Sequence, residues 1–195
     1  MVISRDQLLL FERFLAELQK WNQRINLTAA ETLDELVTRH VVDSLAGLLV
    51  LNALPRGAHI ADLGSGAGFP GLPMKIARPD LHMTLIEPRQ KRAAFLTTVC
   101  ALLKLQDVTV VEETVGPKRR STHLAGRFDA VVMRAVAEPR SAKDLALPLV
   151  NPGGTVVIWA SKQQAEHVDS GFSVRTYRIP ETDLIHALLL WRVPT

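Results

Sequence analysis

The chain has 195 residues, of which 47% are hydrophobic and 22% charged, and its formal net charge is +3. A chain of this length forms one domain, with room for a short extension. No apolar run reaches the ~18 residues of a membrane-spanning helix, and the charged side chains near the start are not typical of a secretory signal. One cysteine, Cys100, offers no disulfide framework and is expected in the core. The composition predicts a cytoplasmic globular protein without a membrane partner.

Two capping patterns, Ser4-x-x-Gln7 and Thr32-x-x-Glu35, predict two helices before residue 55. The first is expected to end near Trp21-Asn22, and the second to run to about Leu51. Strands and helices then alternate. We predict strands at 59–63, 82–87, 108–112, 128–133 and 155–159, helices at about 71–77, 90–105 and 138–150, a turn at 151–154, and an antiparallel hairpin formed by 174–179 and 186–192.

Alternating strands and helices with short connections are typical of an α/β fold. We therefore predict a doubly wound, Rossmann-like, mostly parallel seven-stranded sheet with an N-terminal helical extension. This N-terminal helical extension, residues 1–55, is expected to cap a catalytic domain at residues 56–195.

The most informative stretch follows the first predicted strand. Asp62 stands at the end of that strand, and Gly64, Gly66 and Gly68 follow at alternate positions before a helix begins. Glycines allow a sharp turn and let a ligand lie against the backbone. Asp62 is placed to bind an ammonium or hydroxyl group through the loop. This pattern predicts a site for an adenosine-containing cofactor.

Two cofactors compete for this loop. Gly66-x-Gly68-x-x-Gly71, with Glu87 21 residues after Gly66, satisfies the dinucleotide fingerprint. The same loop fits S-adenosylmethionine, whose ribose also requires an acid after the second strand. Pro70 removes an N–H donor that a pyrophosphate would need, but S-adenosylmethionine has no phosphate. The missing substrate domain also disfavours an NAD-dependent oxidoreductase, which stays as an alternative beside a non-catalytic RNA-binding module.

Basic residues recur where the predicted strands end. They are Arg89, Lys91 and Arg92, then Lys118, Arg119 and Arg120, then Arg134, Arg140 and Lys143. Residues that follow parallel strands converge on the carboxyl edge of the sheet. Together they predict a footprint for a phosphate backbone, although each cluster alone is typical of a solvated face.

Several further motifs carry a family resemblance. They are Trp21-Asn22-x-x-Ile25-Asn26-Leu27-Thr28, Arg39-His40-x-x-Asp43-Ser44-Leu45, the glycine loop ending in Phe69-Pro70-Gly71, Glu87-x-x-x-Lys91-Arg92-x-x-Phe95-Leu96, and Arg134-Ala135. From about residue 20 to 162 the chain resembles the GidB (glucose-inhibited division protein B) or RsmG family of small-subunit rRNA guanine-N7 methyltransferases. The resemblance implies a class I methyltransferase fold and S-adenosyl-L-methionine as cofactor. It also implies methyl transfer to N7 of a guanine in 16S rRNA of the small ribosomal subunit, by a protein that we expect to be monomeric.

The resemblance also implies roles for individual residues. The cofactor contacts fall on Asp62, Gly64, Gly66, Gly68, Phe69, Glu87 at the ribose, Val115 and Gly116 at the adenine, and Arg134 beside the methyl donor. Arg134 is the predicted catalytic residue, and it is expected to bind the cofactor carboxylate or an RNA phosphate rather than transfer a proton. Thr114-Val115-Gly116 replaces the usual Arg-x-Glu, so the side-chain contact of that glutamate is missing at the adenine pocket, and Lys162-Gln163 replaces the usual Lys-Gly.

Other polar residues have competing interpretations. His40, Asp43 and Ser44 share a helix face, where a bracing hydrogen-bonded cluster is favoured over a hydrolase triad. Trp21, with Asn22 and Asn26, either stacks on an unpaired base or packs as a loop on the sheet edge. No Cys or His residues have metal-ligand spacing, so no metal is expected.

Overall fold

The computed structural model describes residues 2–30, 32–116, 123–180, 182–183 and 185–195. Its centre is a seven-stranded sheet in the order β3-β2-β1-β4-β5-β7-β6. The strands are β1 (His59–Leu63), β2 (His82–Ile86), β3 (Val108–Val111), β4 (Phe128–Arg134), β5 (Val150–Ser161), β6 (Ser173–Arg178) and β7 (Ile185–Arg192). Strands β1 to β5 pair in parallel, whereas β7 is antiparallel to both β5 and β6. The predicted doubly wound, mostly parallel sheet is confirmed.

Helices precede the sheet and cover both of its faces. They are α1 (Arg5–Ile25), α2 (Leu33–Leu36), α3 (Asp43–Leu45), α4 (Gly47–Val50), α5 (Gly71–Ala77), α6 (Gln90–Leu102), α7 (Pro139–Ala146) and α8 (Lys162–Glu166). A π-helical turn at Val37–Val42 joins α2 to α3, and a 3₁₀ turn at Leu147–Leu149 follows α7. Within the described ranges, no helix combines the length and the apolar character that crossing a bilayer requires.

The first helix begins where the sequence predicts and ends later. Ser4 and Gln7 form a reciprocal capping box, as expected. The predicted end near Trp21-Asn22 is wrong by about one turn, because the helix continues to Ile25 and stops at Asn26. Asn26 has φ +48°, and asparagine is one of the few residues that tolerate this left-handed conformation at a helix end.

Two hydrophobic clusters flank the sheet. In one, Phe14 and Leu18 of α1 pack with Leu72 of α5 and Phe95 of α6. The other includes Met133, Val156 and Leu189 from three strands, together with Ala142 and Ala146 from α7. The N-terminal helices therefore share their core with the sheet, and the side chains of α1 are buried against α5 and α6.

Some predicted boundaries on the α7 side are wrong. The predicted helix 138–150 ends at Ala146, because the chain tightens into the 3₁₀ turn. Residues 151–154, predicted as a turn before the fifth strand, lie inside β5. Their extra length produces an irregularity, because the pairing with β4 shifts from Phe128↔Val150 to Ala130↔Thr155. Gly153, with φ +77°, supplies the conformation that this irregularity needs.

Candidate active site

The glycine loop connects the carboxyl end of β1 to α5. Gly64, Gly66 and Gly68 all have positive φ, at +79°, +54° and +89°. A Cβ at Gly64 would lie 2.6 Å from Val136, and one at Gly68 would lie 2.4 Å from Leu72. Both positions need glycine for packing as well as for conformation.

Gly66 differs from its two neighbours in the loop. The atom nearest to a Cβ built there is Arg92 Nη1, at 3.6 Å, so the space beside Gly66 is less crowded than at Gly64 and Gly68. Its N–H donates to Glu87 Oε2 over 2.9 Å. Glu87 is 3% exposed, and its Oε1 accepts from the backbone N–H of Arg89. The acid that follows β2 thus holds the middle of the loop at its least crowded glycine.

Asp62 lies in β1, just before the glycine loop, and its side chain points into the protein interior. It is fully buried, and its Oδ2 accepts from the N–H of Gly71 over 2.9 Å, which ties the end of β1 to the start of α5. Among the described residues, its Oδ1 has no hydrogen-bond partner. Burial raises the pKa of the Asp62 carboxyl to about 7. Because Gly71 N–H is already engaged, this helix start has one fewer donor for the pyrophosphate that a dinucleotide would bring.

Phe69 connects the glycine loop to Arg134 at the end of β4. Its ring stacks on His40, with centroids 4.9 Å apart and planes at 23°. The guanidinium carbon of Arg134 lies 5.2 Å from the Phe69 ring centroid, within the range of a cation–π contact.

Arg134 is also held by the π-helical turn and α3. Its Nη1 donates to Asp43 Oδ2 over 3.1 Å, and its Nη2 lies 2.9 Å from His40 Nδ1. A guanidinium only donates, so His40 Nδ1 is the acceptor, and the neutral ring carries its proton on Nε2, 3.1 Å from Thr28 Oγ1. Burial, and after it the Arg134 charge, lowers the pKa of His40 to about 4. His40 is therefore neutral at physiological pH.

Asp43 is the centre of this cluster. It is 3% exposed, and its Oδ1 accepts from Tyr177 Oη and lies 2.8 Å from His186 Nδ1. The indole N–H of Trp159 donates to the Asp43 backbone carbonyl over 2.9 Å. Burial, and after it the nearby Asp43 carboxylate, raises the pKa of Tyr177. Asp43 thus links the N-terminal helices to β4, β6 and β7 through its carboxylate and to β5 through its backbone carbonyl.

The structure resolves two of the competing interpretations. His40, Asp43 and Ser44 form a bracing cluster, as favoured, since Ser44 Oγ donates to the His40 carbonyl rather than to a catalytic base. Both ends of the Asn22 amide bond the backbone of Thr28. Trp21 Nε1 donates to Glu17, and its ring packs edge-on against Phe95. The motif therefore packs as the end of α1 against α6, so the predicted loop on the sheet edge is wrong.

Three side chains of the cluster were missed by the sequence reasoning. Trp159, Tyr177 and His186 come from strands that were predicted only as apolar sheet. A signal was available for two of them, because Tyr177 and His186 are polar-tipped residues that pair directly across the β6–β7 hairpin.

The remaining predicted site residues have no contact with the cluster around Asp43 among those described above. Val115 and Gly116 are half-buried after β3, and no atom of the residues described around them lies within 4 Å of a Cβ built at Gly116. Val115 packs against the hydrophobic cluster that includes Met133 and Ala142, so of this pair it is Gly116 that has space beside it. Lys118, Arg119 and Arg120 lie outside the described residues.

The sheet order, the glycine loop and the acid after β2 define a class I methyltransferase fold. In agreement, the structure resembles that of the predicted O-methyltransferase Atu636 from Agrobacterium tumefaciens, with a TM-score of 0.61 at 20% identity and 78% of each chain covered. The model of the GidB family, rRNA small subunit methyltransferase G, matches residues 7–177. The chain belongs to this family, and the resemblance seen in its motifs is confirmed.

Two relatives show how far the similarity extends. Ribosomal RNA small subunit methyltransferase G from Roseiflexus castenholzii is 44% identical over 78% of this chain. The chain spans 64% of that protein's length. The protein of the same name from Lachnoclostridium phytofermentans is 32% identical over 97% of this chain and 82% of its own length.

Proposed function

We propose that this protein transfers the methyl group of S-adenosyl-L-methionine to N7 of a guanine in 16S rRNA of the small ribosomal subunit. The observation that carries the proposal is the contact between Gly66 N–H and Glu87 Oε2 beside the open face of the loop, one strand away from Arg134. The family match and the names of the relatives support it.

The residues around the loop suit this cofactor. Each Glu87 oxygen accepts one backbone N–H and keeps a lone pair for a ribose hydroxyl. Gly66 leaves room for the cofactor, and Gly64 and Gly68 keep the loop in shape. We propose that Asp62 supports the loop from below, that Phe69 forms the wall towards Arg134, and that Val115 and Gly116 frame the adenine. When bound, S-adenosylmethionine supplies an electrophilic methyl group.

The chain's own contribution to the reaction is mainly alignment. Guanine N7 has an exposed lone pair, so no base is needed to generate the nucleophile. Holding the acceptor in line with the methyl group is worth several kcal/mol in such reactions, on the order of 7–11 in the best cases. We assign Arg134 the catalytic role of orienting the acceptor. The carboxylate of Asp43 balances the Arg134 charge, so the purine does not face an unpaired cation as it becomes cationic.

The proposed partner is the small ribosomal subunit, approached through the carboxyl edge of the sheet. Arg89 and Lys91, at the start of α6, and Arg140, at the start of α7, are exposed at this edge. Such side chains bind phosphate without regard to sequence and position the RNA. We further propose that residues 1–55 act as a cap on the catalytic domain at residues 56–195, and that the protein works as a cytoplasmic monomer.

The test combines methyl transfer with chemical mapping. Small subunits that lack the modification are incubated with the protein and radiolabelled S-adenosylmethionine, and the RNA is then treated with borohydride and aniline, which cleave at 7-methylguanosine. The proposal predicts label in the RNA and one new cleavage site. Label without cleavage would show that the methyl group is transferred to an atom other than N7. Binding to subunits without label would indicate an RNA-binding protein instead of an enzyme.

A further inference from the structure

A cleft lies on the acceptor side of the proposed active site. Its volume is about 340 Å³, which is within the range of small-molecule pockets. It sits over the carboxyl ends of β4 and β5, and its lining includes Arg134, Trp159, Ser161, Gln164 and His186. His186 pairs in register with Ser161, the last residue of β5. The cleft therefore begins one strand away from the glycine loop and ends at His186.

His186 presents a defined hydrogen-bonding group to this cleft. Its Nδ1 lies 2.8 Å from Asp43 Oδ1, and a carboxylate only accepts, so Nδ1 carries the proton. In the neutral ring, Nε2 then has a free lone pair, as in other histidines held by a carboxylate. The side chain is 30% exposed, and no hydrogen bond joins Nε2 to the residues that the structure describes. His186 thus offers an acceptor to a ligand.

Arg134 offers the opposite group in the same cleft, on the other oxygen of the Asp43 carboxylate that His186 contacts. Its contacts with Asp43, His40 and the Arg39 carbonyl engage three of its five N–H donors. Asp43 already neutralises its charge, so a further anion gains less there than at a free arginine. A neutral carbonyl oxygen matches the remaining donors better than the phosphate or carboxylate expected from the sequence.

We propose that His186 reads the acceptor base by accepting the N1–H of guanine while Arg134 donates to O6. The order of groups along the sheet supports this pairing. The glycine loop follows β1, Arg134 ends β4 and His186 lies near the start of the antiparallel β7, and this order across the sheet is that of N7, O6 and N1 around the guanine ring. Adenine has an amino group in place of O6 and an acceptor at N1, so both contacts would be mismatched. Asp43 and Tyr177 act as positioning residues, because they fix the His186 ring.

This inference rests on the proposed function, and the test keeps the two separate. Once cleavage mapping has located the target, subunits are reconstituted around ligated RNA with guanosine, inosine or 2-aminopurine at that position. Inosine keeps O6 and N1–H, whereas 2-aminopurine lacks both and adds no bulk. The wild-type protein is expected to methylate inosine nearly as well as guanosine. It should disfavour 2-aminopurine by about a hundredfold or more in kcat/KM.

The deciding variant is His186→Phe, with His59→Phe at the amino edge of the sheet as control. The ratio of kcat/KM for guanosine to that for 2-aminopurine is independent of how much of a preparation is folded. We expect His186→Phe to narrow this ratio roughly tenfold, His186→Gln to retain more of it through its amide oxygen, and the control to leave it unchanged. An unchanged ratio in His186→Phe would overturn the proposal, as would a large loss with inosine. A wild-type protein that methylates no subunit would instead refute the proposed function.

Discussion

The two halves of the proposed site are built in different ways. In the cofactor half, carboxylates bind backbone N–H groups close along the chain, as in Asp62 to Gly71 and Glu87 to Gly66. In the acceptor half, Asp43 bonds side chains that are 91 to 143 residues away, in β4, β6 and β7. The first half depends on one loop and two strand ends. The second requires that the helices, the sheet and the hairpin are all in place.

This difference predicts that substitutions in one half impair cofactor binding and that substitutions in the other impair methyl transfer. The largest effect is expected for Gly66→Val, because its side chain would fill the cofactor's space. We expect loss of measurable S-adenosylmethionine binding in calorimetry, with cooperative unfolding retained. Gly126→Val is the matched control, since Gly126 has a similar φ of +57° and no described atom within 4 Å of a Cβ built there. Equal affinity in the two variants would show that this loop is not the cofactor site.

Asp62→Asn tests whether the buried carboxylate that accepts from Gly71 N–H contributes to stability through its raised pKa. The folded-state pKa of Asp62 is raised to about 7, above its usual 3.8, so the folded protein binds this proton more tightly than the unfolded chain. The contribution of this group to stability is therefore lost as pH rises from about 4 to 7, by up to roughly 4 kcal/mol. The asparagine variant should lack this slope in urea unfolding measured across that range. Parallel pH profiles for both proteins would contradict the assignment.

Arg134→Ala should damage the acceptor half alone. We expect kcat/KM for methyl transfer to fall by an amount equivalent to about 2–4 kcal/mol of transition-state stabilisation. The buried Asp43 carboxylate would lose its arginine partner, and the acceptor would lose a donor. Affinity for S-adenosylmethionine should change little. Arg127→Ala, at an exposed arginine just before β4, is the control. Wild-type turnover in Arg134→Ala would remove this residue from the site.

The smallest effect is expected for Tyr177→Phe, which removes one hydrogen bond to Asp43 and keeps the ring. Thermal unfolding should show a loss of about 1 kcal/mol, and methyl transfer should fall only a few-fold. A loss as large as that of Arg134→Ala would mean that Tyr177 does more than hold Asp43 and His186.

The same difference explains how much of the molecule can be predicted from its sequence. The bounds of β1, the glycine loop and the acid after β2 follow from local patterns, because their hydrogen bonds run between backbone and nearby side chains. The π-helical turn and the irregularity in β5 depend on packing and strand pairing that local patterns do not contain. The contacts of Asp43 with Tyr177 and His186 exist only once the hairpin has folded against the helices.

The most direct test of the account is Asp43→Asn, measured for cofactor affinity and for single-turnover methyl transfer on small subunits. The substitution would keep the size of the side chain but leave Arg134 without its counter-charge and His186 without a strong acceptor. We predict S-adenosylmethionine affinity within about twofold of wild type and a methyl-transfer rate lower by at least roughly tenfold. An unchanged rate, or an affinity that falls as far as the rate, would contradict the claim that Asp43 builds the acceptor half separately from the cofactor half.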